Sequence, residues 1–274
     1  MSRPLHFGPY RVVRRIGGRY GCTLFEAFGP DGEPVALKLF DFAHGAPAAA
    51  EEALERFRRE TALVQRLAHP GIVRMLAHGE DAAHAWLALE LVRGRVLSEA
   101  LRGGSLATVL GCVGRVLESL AYLHAHGIVH RDLKPANIVV TQQRGPVLCD
   151  FGLARVEDSL LTQRGDLLGT PVYMAPECFH GEAVDARSDL FAVGVMLYEL
   201  LTGRPPFTGE TSGEIMLAIV QDDPLPPSHW NPALSPALDA ILRTALAKPR
   251  HLRFADAAAF ASALRAVQVA EAAG

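Results

Sequence analysis

His130-Arg131-Asp132-Leu133-Lys134-Pro135-Ala136-Asn137 is the stretch from which the rest of the chain can be read. It places a carboxylate (Asp132), an ammonium (Lys134) and a carboxamide (Asn137) within a few residues. Pro135 lacks an N–H and carries a ring, so the segment does not run on as an ordinary helix. It is a loop that presents polar groups. Beyond Asn137, the apolar Val147-Leu148-Cys149 leads into Asp150-Phe151-Gly152, so a second carboxylate follows a short buried strand. Two acids and an amide meeting at one place suggest a divalent cation and phosphate.

The chain around this loop has 274 residues, 49% of them hydrophobic, enough for two modest lobes or one large domain with a full core. A net charge of −3 gives no electrostatic case for nucleic acid or an anionic membrane. The four cysteines, Cys22, Cys112, Cys149 and Cys178, are widely spaced with no C-x-x-C, which suits a reduced compartment and argues against zinc. The first residues lack the apolar core of a signal peptide. The longest apolar run, around Leu190 to Leu201, is too short to span a bilayer and carries Glu199. The expectation is a cytoplasmic chain with no membrane contact from this segment. Of 27 basic residues only Lys38, Lys134 and Lys248 are lysine. Arg and Lys are not interchangeable where a compact point charge must sit on a phosphate oxygen, so Lys38 and Lys134 stand out.

Upstream, short β-type runs at Tyr10 to Ile16, Thr23 to Phe28 and Pro34 to Phe40 are broken by Gly17-Gly18, Gly21 and the turn Gly29-Pro30-Asp31-Gly32. A helix is expected over Ala46 to Ala68, with Leu54, Phe57, Leu63, Val64 and Leu67 at helical spacing. Two further strands follow, Ile72 to His78 and Ala83 to Leu91. After Gly94 helices dominate: Leu97 to Arg102, Leu106 to His126, Ser188 to Thr202, Ser212 to Gln221, Ser235 to Ala247 and Asp256 to Val269. The spacing predicts an α+β chain with a small β-rich lobe over 1–89, a connector at 90–92, a larger helical lobe over 93–269, and a frayed tail from Ala270 to Gly274.

In this order the residues resemble the protein kinase family over nearly the whole chain. The matching stretches are Val35-Ala36-Leu37-Lys38, Glu60 in the following helix, His130 to Asn137, Asp150-Phe151-Gly152, Ala175-Pro176-Glu177, Asp189 opening an apolar helix, and Arg253 near the end. Asp-Leu-Lys-Pro-Ala-Asn and Gly169-Thr170-Pro171 resemble the serine/threonine branch. The compact loops and Arg187-Ser188-Asp189 are similar to the bacterial eukaryotic-like (Hanks-type) enzymes. The resemblance implies a bilobal protein-kinase-like fold, with a small antiparallel sheet lobe holding one key helix and a larger, mainly helical lobe. ATP and Mg²⁺, with Mn²⁺ as an alternative, would sit in the cleft between the lobes.

The roles implied agree with what phosphoryl transfer needs: a triphosphate held in line, its charge neutralised, and an oriented acceptor hydroxyl. Lys38 would hold the α- and β-phosphates, ion-paired to Glu60. Asn137 and Asp150 would bind the metal, Asp132 would orient the substrate hydroxyl, and Lys134 would stabilise the γ-phosphate charge. Leu24, Ala36 and Val139 would enclose the adenine ring, the backbone of Glu90 and Val92 would hydrogen-bond its edge, and Leu89 would be the gatekeeper. His130 would pack in a spine with Phe151, Val64 and Met75. Arg131 would await a phosphate on the activation segment, for which Thr162 is the candidate, while Thr170 would bridge Asp132 and Lys134. Glu177 and Arg253 would form a structural ion pair.

The glycine-rich loop departs from the pattern. The family's three glycine positions fall on Gly17, Arg19 and Cys22, while Gly18 and Gly21 sit one place early. Gly permits close backbone approach to phosphate and positive φ, and Arg or Cys restricts both. Either Gly18 and Gly21 serve in a shifted register, or Arg19 extends its guanidinium. Replacing Arg19 with Gly lowers the KM for ATP if the native loop is compromised, and raises it if Arg19 makes a contact. The expected function is a serine/threonine protein kinase acting on protein hydroxyls, with self-association for trans-autophosphorylation. A pseudokinase scaffold is the rival that the irregular loop favours. A small-molecule phosphotransferase is disfavoured by the long segment ending in Ala-Pro-Glu. The resemblance leaves open whether the natural protein continues past Gly274 into a membrane anchor and sensor, as many bacterial relatives do.

Overall fold

The computed structural model describes residues 5–19, 22–41, 47–80, 84–150 and 171–272. They form two compact units, and the sequence passes from one to the other between Arg93 and Gly94. Gly21, Phe151, Thr162 and Thr170 lie outside the described residues.

In the first unit, β1 (His6–Phe7), β2 (Tyr10–Arg19), β3 (Cys22–Phe28), β4 (Pro34–Asp41), β5 (Met75–Glu80) and β6 (His84–Glu90) make an antiparallel sheet. Among the described residues its order is β1-β2-β3-β4-β6-β5. Helix α1 (Pro47–Val64) lies between β4 and β5 in sequence. Alternation along β4 gives the sheet two faces. Val35 and Leu37 point into a core with Tyr10, Ala27 and Ala88, flanked by Phe25 and Trp86. Burying Val35 and Leu37 there contributes about 1.5–3 kcal/mol each. Ala36, Lys38 and Phe40 occupy the opposite face. There the Phe40 ring meets Phe57 of α1 edge-on, with centroids 5.4 Å apart.

Two strand boundaries in this sheet differ by three residues from the expected ones for physical reasons, and α1 ends at Val64 where Ala68 was expected. The first run does not stop at Ile16: β2 continues through both glycines because its pairing with β3 continues, with Gly17 opposite Leu24, Gly18 opposite Thr23 and Arg19 opposite Cys22. Strand β5 does not begin at Ile72. Ile72 makes an isolated bridge, and Ile72 and Val73 are buried by packing ahead of the strand.

The second unit opens with β7 (Arg95–Val96) and α2 (Leu97–Ala100), then α3 (Leu106–Ala125). The Ser105 hydroxyl caps α3, accepting from the Thr108 N–H at 3.2 Å, and Gly127 at φ 73° turns the chain away from the helix end. A 3₁₀ turn at Pro135–Asn137 follows, then β8 (Ile138–Thr141) and β9 (Gly145–Leu148), which pair as β7-β8-β9. Further helices are α4 (Pro176–Phe179), α5 (Ala186–Thr202), α6 (Ser212–Gln221), α7 (Pro227–Trp230), α8 (Pro236–Ala245) and α9 (Ala257–Ala272). The residues from Ala270 to Ala272, expected to fray, continue α9.

Helix α5 buries residues on all sides, as a helix enclosed by neighbours must. It begins in a capping box between Asp185 and Ser188. Among the described residues α3 is long and apolar enough to cross a membrane by length and composition. Arg115 and Glu118 interrupt its apolar run. Its buried residues include Val109, Leu110, Val113, Val116 and Leu120, and it packs against α5, α9 and β9.

Candidate active site

The 3₁₀ turn at Pro135–Asn137 folds the polar loop back on itself, and Asp132 becomes its hub. Lys134 Nζ donates to both carboxylate oxygens of Asp132, at 3.0 and 2.8 Å. Asn137 Nδ2 donates to the Asp132 carbonyl at 2.7 Å and to Oδ2 at 3.1 Å. With its amide nitrogen committed to Asp132, Asn137 has Oδ1 as the atom suited to a hard cation. The Asn137 carbonyl accepts the Cys149 N–H at 2.8 Å, which brings the loop beside the residue preceding Asp150. Asp150 itself is half-buried with φ 59°, a conformation that costs a non-glycine residue about 1–3 kcal/mol. Among the described residues no group of three or more His, Cys, Asp or Glu could hold a metal by itself. A cation bound by one carboxylate and one amide would complete its shell with phosphate oxygens and water.

What anchors the loop from below is Asp189, which the sequence reading noted for position but gave no role. It is 2% exposed on α5. Its Oδ2 accepts the His130 N–H at 2.8 Å, and its Oδ1 accepts the Arg131 N–H at 3.0 Å. His124 Nε2 also lies 2.8 Å from Oδ2. Arg131 sits at φ 68°, so this carboxylate holds a strained backbone in place. The available signal was an acid in a run of apolar residues, since a buried charge needs partners. The His130 ring is fully buried, and burial holds its pKa below the ordinary value against the opposing charges of Asp189, Asp132 and Asp150. It is a core residue, not an acid or base.

Glu177 and Arg253 form the expected ion pair, joined by two hydrogen bonds of 2.8 Å and by a 2.6 Å bond from the Ser188 hydroxyl to Glu177. Burial pushes the Glu177 carboxyl up, but those donors and the Arg253 charge outweigh it and hold the pKa below the ordinary value. The third lysine, Lys248, is structural. Its Nζ donates to the Ile219 carbonyl of α6 at 2.7 Å and stands 3.8 Å from the centre of the Phe207 ring.

In the first unit, Lys38 is 4% exposed, opposite Leu24 on one side and Leu87 on the other. Directly opposite residues in an antiparallel pair share a face, so Leu24, Ala36 and Lys38 lie on one surface with Leu89, which is opposite Ala36. Glu60 is half-buried on α1, one turn past Phe57. The Phe40–Phe57 contact therefore turns the Glu60 side of α1 toward the face that carries Lys38. The Glu90 N–H donates to the Arg74 carbonyl at 3.0 Å, and Val92 is half-buried just beyond. In the second unit, Val139 is half-buried in β8, paired with Val96 and Val147.

The glycine stretch resolves into unequal members. Gly18 has φ 113°, and a Cβ there would lie 2.5 Å from the Cys22 carbonyl oxygen. A Cβ on Gly17 would meet only Leu24, at 3.9 Å. Gly18, not Gly17, does what only glycine can do.

Comparison with known proteins agrees in kind. The model of the protein kinase domain family matches residues 10–264. The chain is similar to serine/threonine-protein kinase Pkn1 of Myxococcus xanthus, 38% identical over 267 residues, covering 94% of this chain and 38% of that protein. It is similar to serine/threonine-protein kinase PknJ of Mycobacterium tuberculosis, 35% identical over 275 residues, with 95% and 45% covered. A probable serine/threonine-protein kinase, PknB of Bifidobacterium longum, is 37% identical over 222 residues, with 76% and 32% covered. The chain thus spans less than half the length of these curated relatives.

Proposed function

Because this chain belongs to the protein kinase family, we propose that it is a serine/threonine kinase transferring the γ-phosphate of MgATP to hydroxyls of protein substrates. The observation that carries this reading is the Asp132–Lys134–Asn137 cluster, tied through the Asn137 carbonyl to the residue before Asp150. Asp132 is held by Lys134 and Asn137 in one orientation, as a group that must orient an acceptor hydroxyl requires. Asn137 and Asp150 supply two hard oxygen ligands for Mg²⁺ or Mn²⁺, which would add charge neutralisation at the phosphates. Lys134, already beside Asp132, stabilises charge on the transferred group. Lys38, buried on a strand with Glu60 turned toward its face, holds the α- and β-phosphates. Leu24, Ala36 and Val139 contact the adenine, with the Glu90 carbonyl and Val92 N–H at its edge.

The names of the relatives support the serine/threonine assignment. Arg131 and Thr162 are proposed as the regulatory pair, with self-association permitting phosphorylation in trans, and Thr170 as a bridge at the substrate site. Phosphopeptide mapping of active protein should find Thr162 modified. Transfer of γ-phosphate to the chain itself or to a basic protein substrate is expected, with loss of at least about 100-fold in Asp132→Asn. Equal labelling by wild type and variant would remove the catalytic assignment and leave the scaffold reading.

A further inference from the structure

Arg15 is an exposed residue to which neither the family pattern nor the site above assigns a task. Its Nε donates to the Gly17 carbonyl at 3.1 Å, and its Nη2 reaches the Gly18 carbonyl at 3.4 Å. The pairing of β2 with β3 slips by one residue between Arg15 and Gly17, a bulge that bends the strand where the glycines begin. Past Arg11, β2 is paired on one side only among the described residues, because β1 covers only Tyr10 and Arg11. Among the described residues, carbonyls on the other edge have no neighbouring strand to accept from.

We propose that Arg15 is a positioning residue for the nucleotide, a brace that sets the two peptide units joining Gly17 to Gly18 and Gly18 to Arg19. The inference rests on the reading of this stretch as the phosphate-covering segment of a kinase. A guanidinium presents its donors in a rigid planar fork, so bonding two successive carbonyls restricts the rotation of both peptide units at once. Those units carry the N–H groups of Gly18 and Arg19. A carbonyl that accepts from a cation polarises its own peptide and strengthens the N–H on the other side. The chain has Arg19 and Cys22 where the family pattern has glycine, and the brace supplies order to a segment whose sequence is irregular.

The test compares wild type, Arg15→Ala and Arg15→Lys by steady-state kinetics in ATP, titration calorimetry with MgADP, and thermal unfolding. Arg15→Ala should raise the KM for ATP and the Kd for MgADP together by about two- to tenfold, with kcat within about twofold and the melting midpoint unchanged. Arg15→Lys, which reaches one carbonyl but cannot fork, should fall between them. Equal MgADP affinity in wild type and Arg15→Ala overturns the brace alone. A drop in melting midpoint that accompanies an equal loss in kcat also overturns it, by making Arg15 merely structural. Failure of the wild type to bind MgADP overturns the kinase reading itself, and the brace with it.

Discussion

The backbone N–H of Arg131 donates to Asp189 Oδ1 across 58 residues of sequence, at 3.0 Å, while Arg131 itself holds φ 68°. Asp189 also accepts from the His130 N–H, so one carboxylate fixes two consecutive peptide units directly before Asp132. Replacing it with Asn keeps the size and substitutes an NH₂ for one acceptor, turning a donor toward a donor. Asp189→Asn is expected to lose about 2–4 kcal/mol of stability in urea unfolding and to lower kcat more than nucleotide affinity. An unchanged midpoint would show that the loop is held by something else.

The Glu177–Arg253 pair is 4% and 0% exposed. Removing only Arg253 leaves a buried charge, so Arg253→Met should cost about 3–5 kcal/mol, and the double variant Arg253→Met with Glu177→Met should recover part of it. The Glu177 pKa is depressed below 4.5, so its contribution is complete above that pH and is lost as the pH falls through the lowered value. Wild type should lose more stability than the double variant on going from neutral pH to strongly acidic solution. Parallel acid titrations would contradict this.

His130 titrates in the opposite chemical sense but with the same direction of pH dependence. Its folded pKa lies below 6.5, so the unfolded chain binds the extra proton. Stability is therefore complete above pH 6.5 and declines as pH falls below it. His130→Phe, which fills the same buried space without titrating, should flatten the stability profile below pH 6.5 by up to about 1.4 kcal/mol per pH unit. Calorimetric unfolding at stepped pH reads this directly, and identical slopes would exclude a buried neutral imidazole.

The two glycines at the head of the hairpin should not respond alike. Gly18→Ala places a Cβ 2.5 Å from the Cys22 carbonyl oxygen at φ 113°, and is expected to cost about 1–3 kcal/mol and to weaken MgADP binding. Gly17→Ala, whose Cβ would come no closer than 3.9 Å to Leu24, should change stability by less than about 1 kcal/mol. Equal effects on thermal unfolding would mean that the hairpin relaxes around either side chain.

Much of the site could be read locally. Asp132, Lys134 and Asn137 lie close in sequence, and Pro135 compels the turn that folds them together, so residue type and spacing were sufficient. The β-type run from Pro34 to Phe40 was likewise legible as a strand, and alternation along β4 puts Lys38 on the face of Ala36 and Phe40. Boundaries were less legible wherever pairing or packing outweighed composition. Gly17 and Gly18 read as a break, yet the partner strand carried β2 through them. Ala270 read as a tail, yet α9 continues to Ala272.

The sequence by itself determined the polar loop from His130 to Asn137, the order of its partner segments and the membership of the family, because those depend on which chemical groups stand at which short spacing. The tertiary structure alone decided which partners hold those groups: Asp189 under His130 and Arg131, Phe57 against Phe40 beside Lys38, and Arg15 over the glycine carbonyls. The first two contacts join residues distant in sequence, and the third depends on a bulge set by the neighbouring strand. Such pairings arise from closure of the chain on itself, and local propensity carries no record of them.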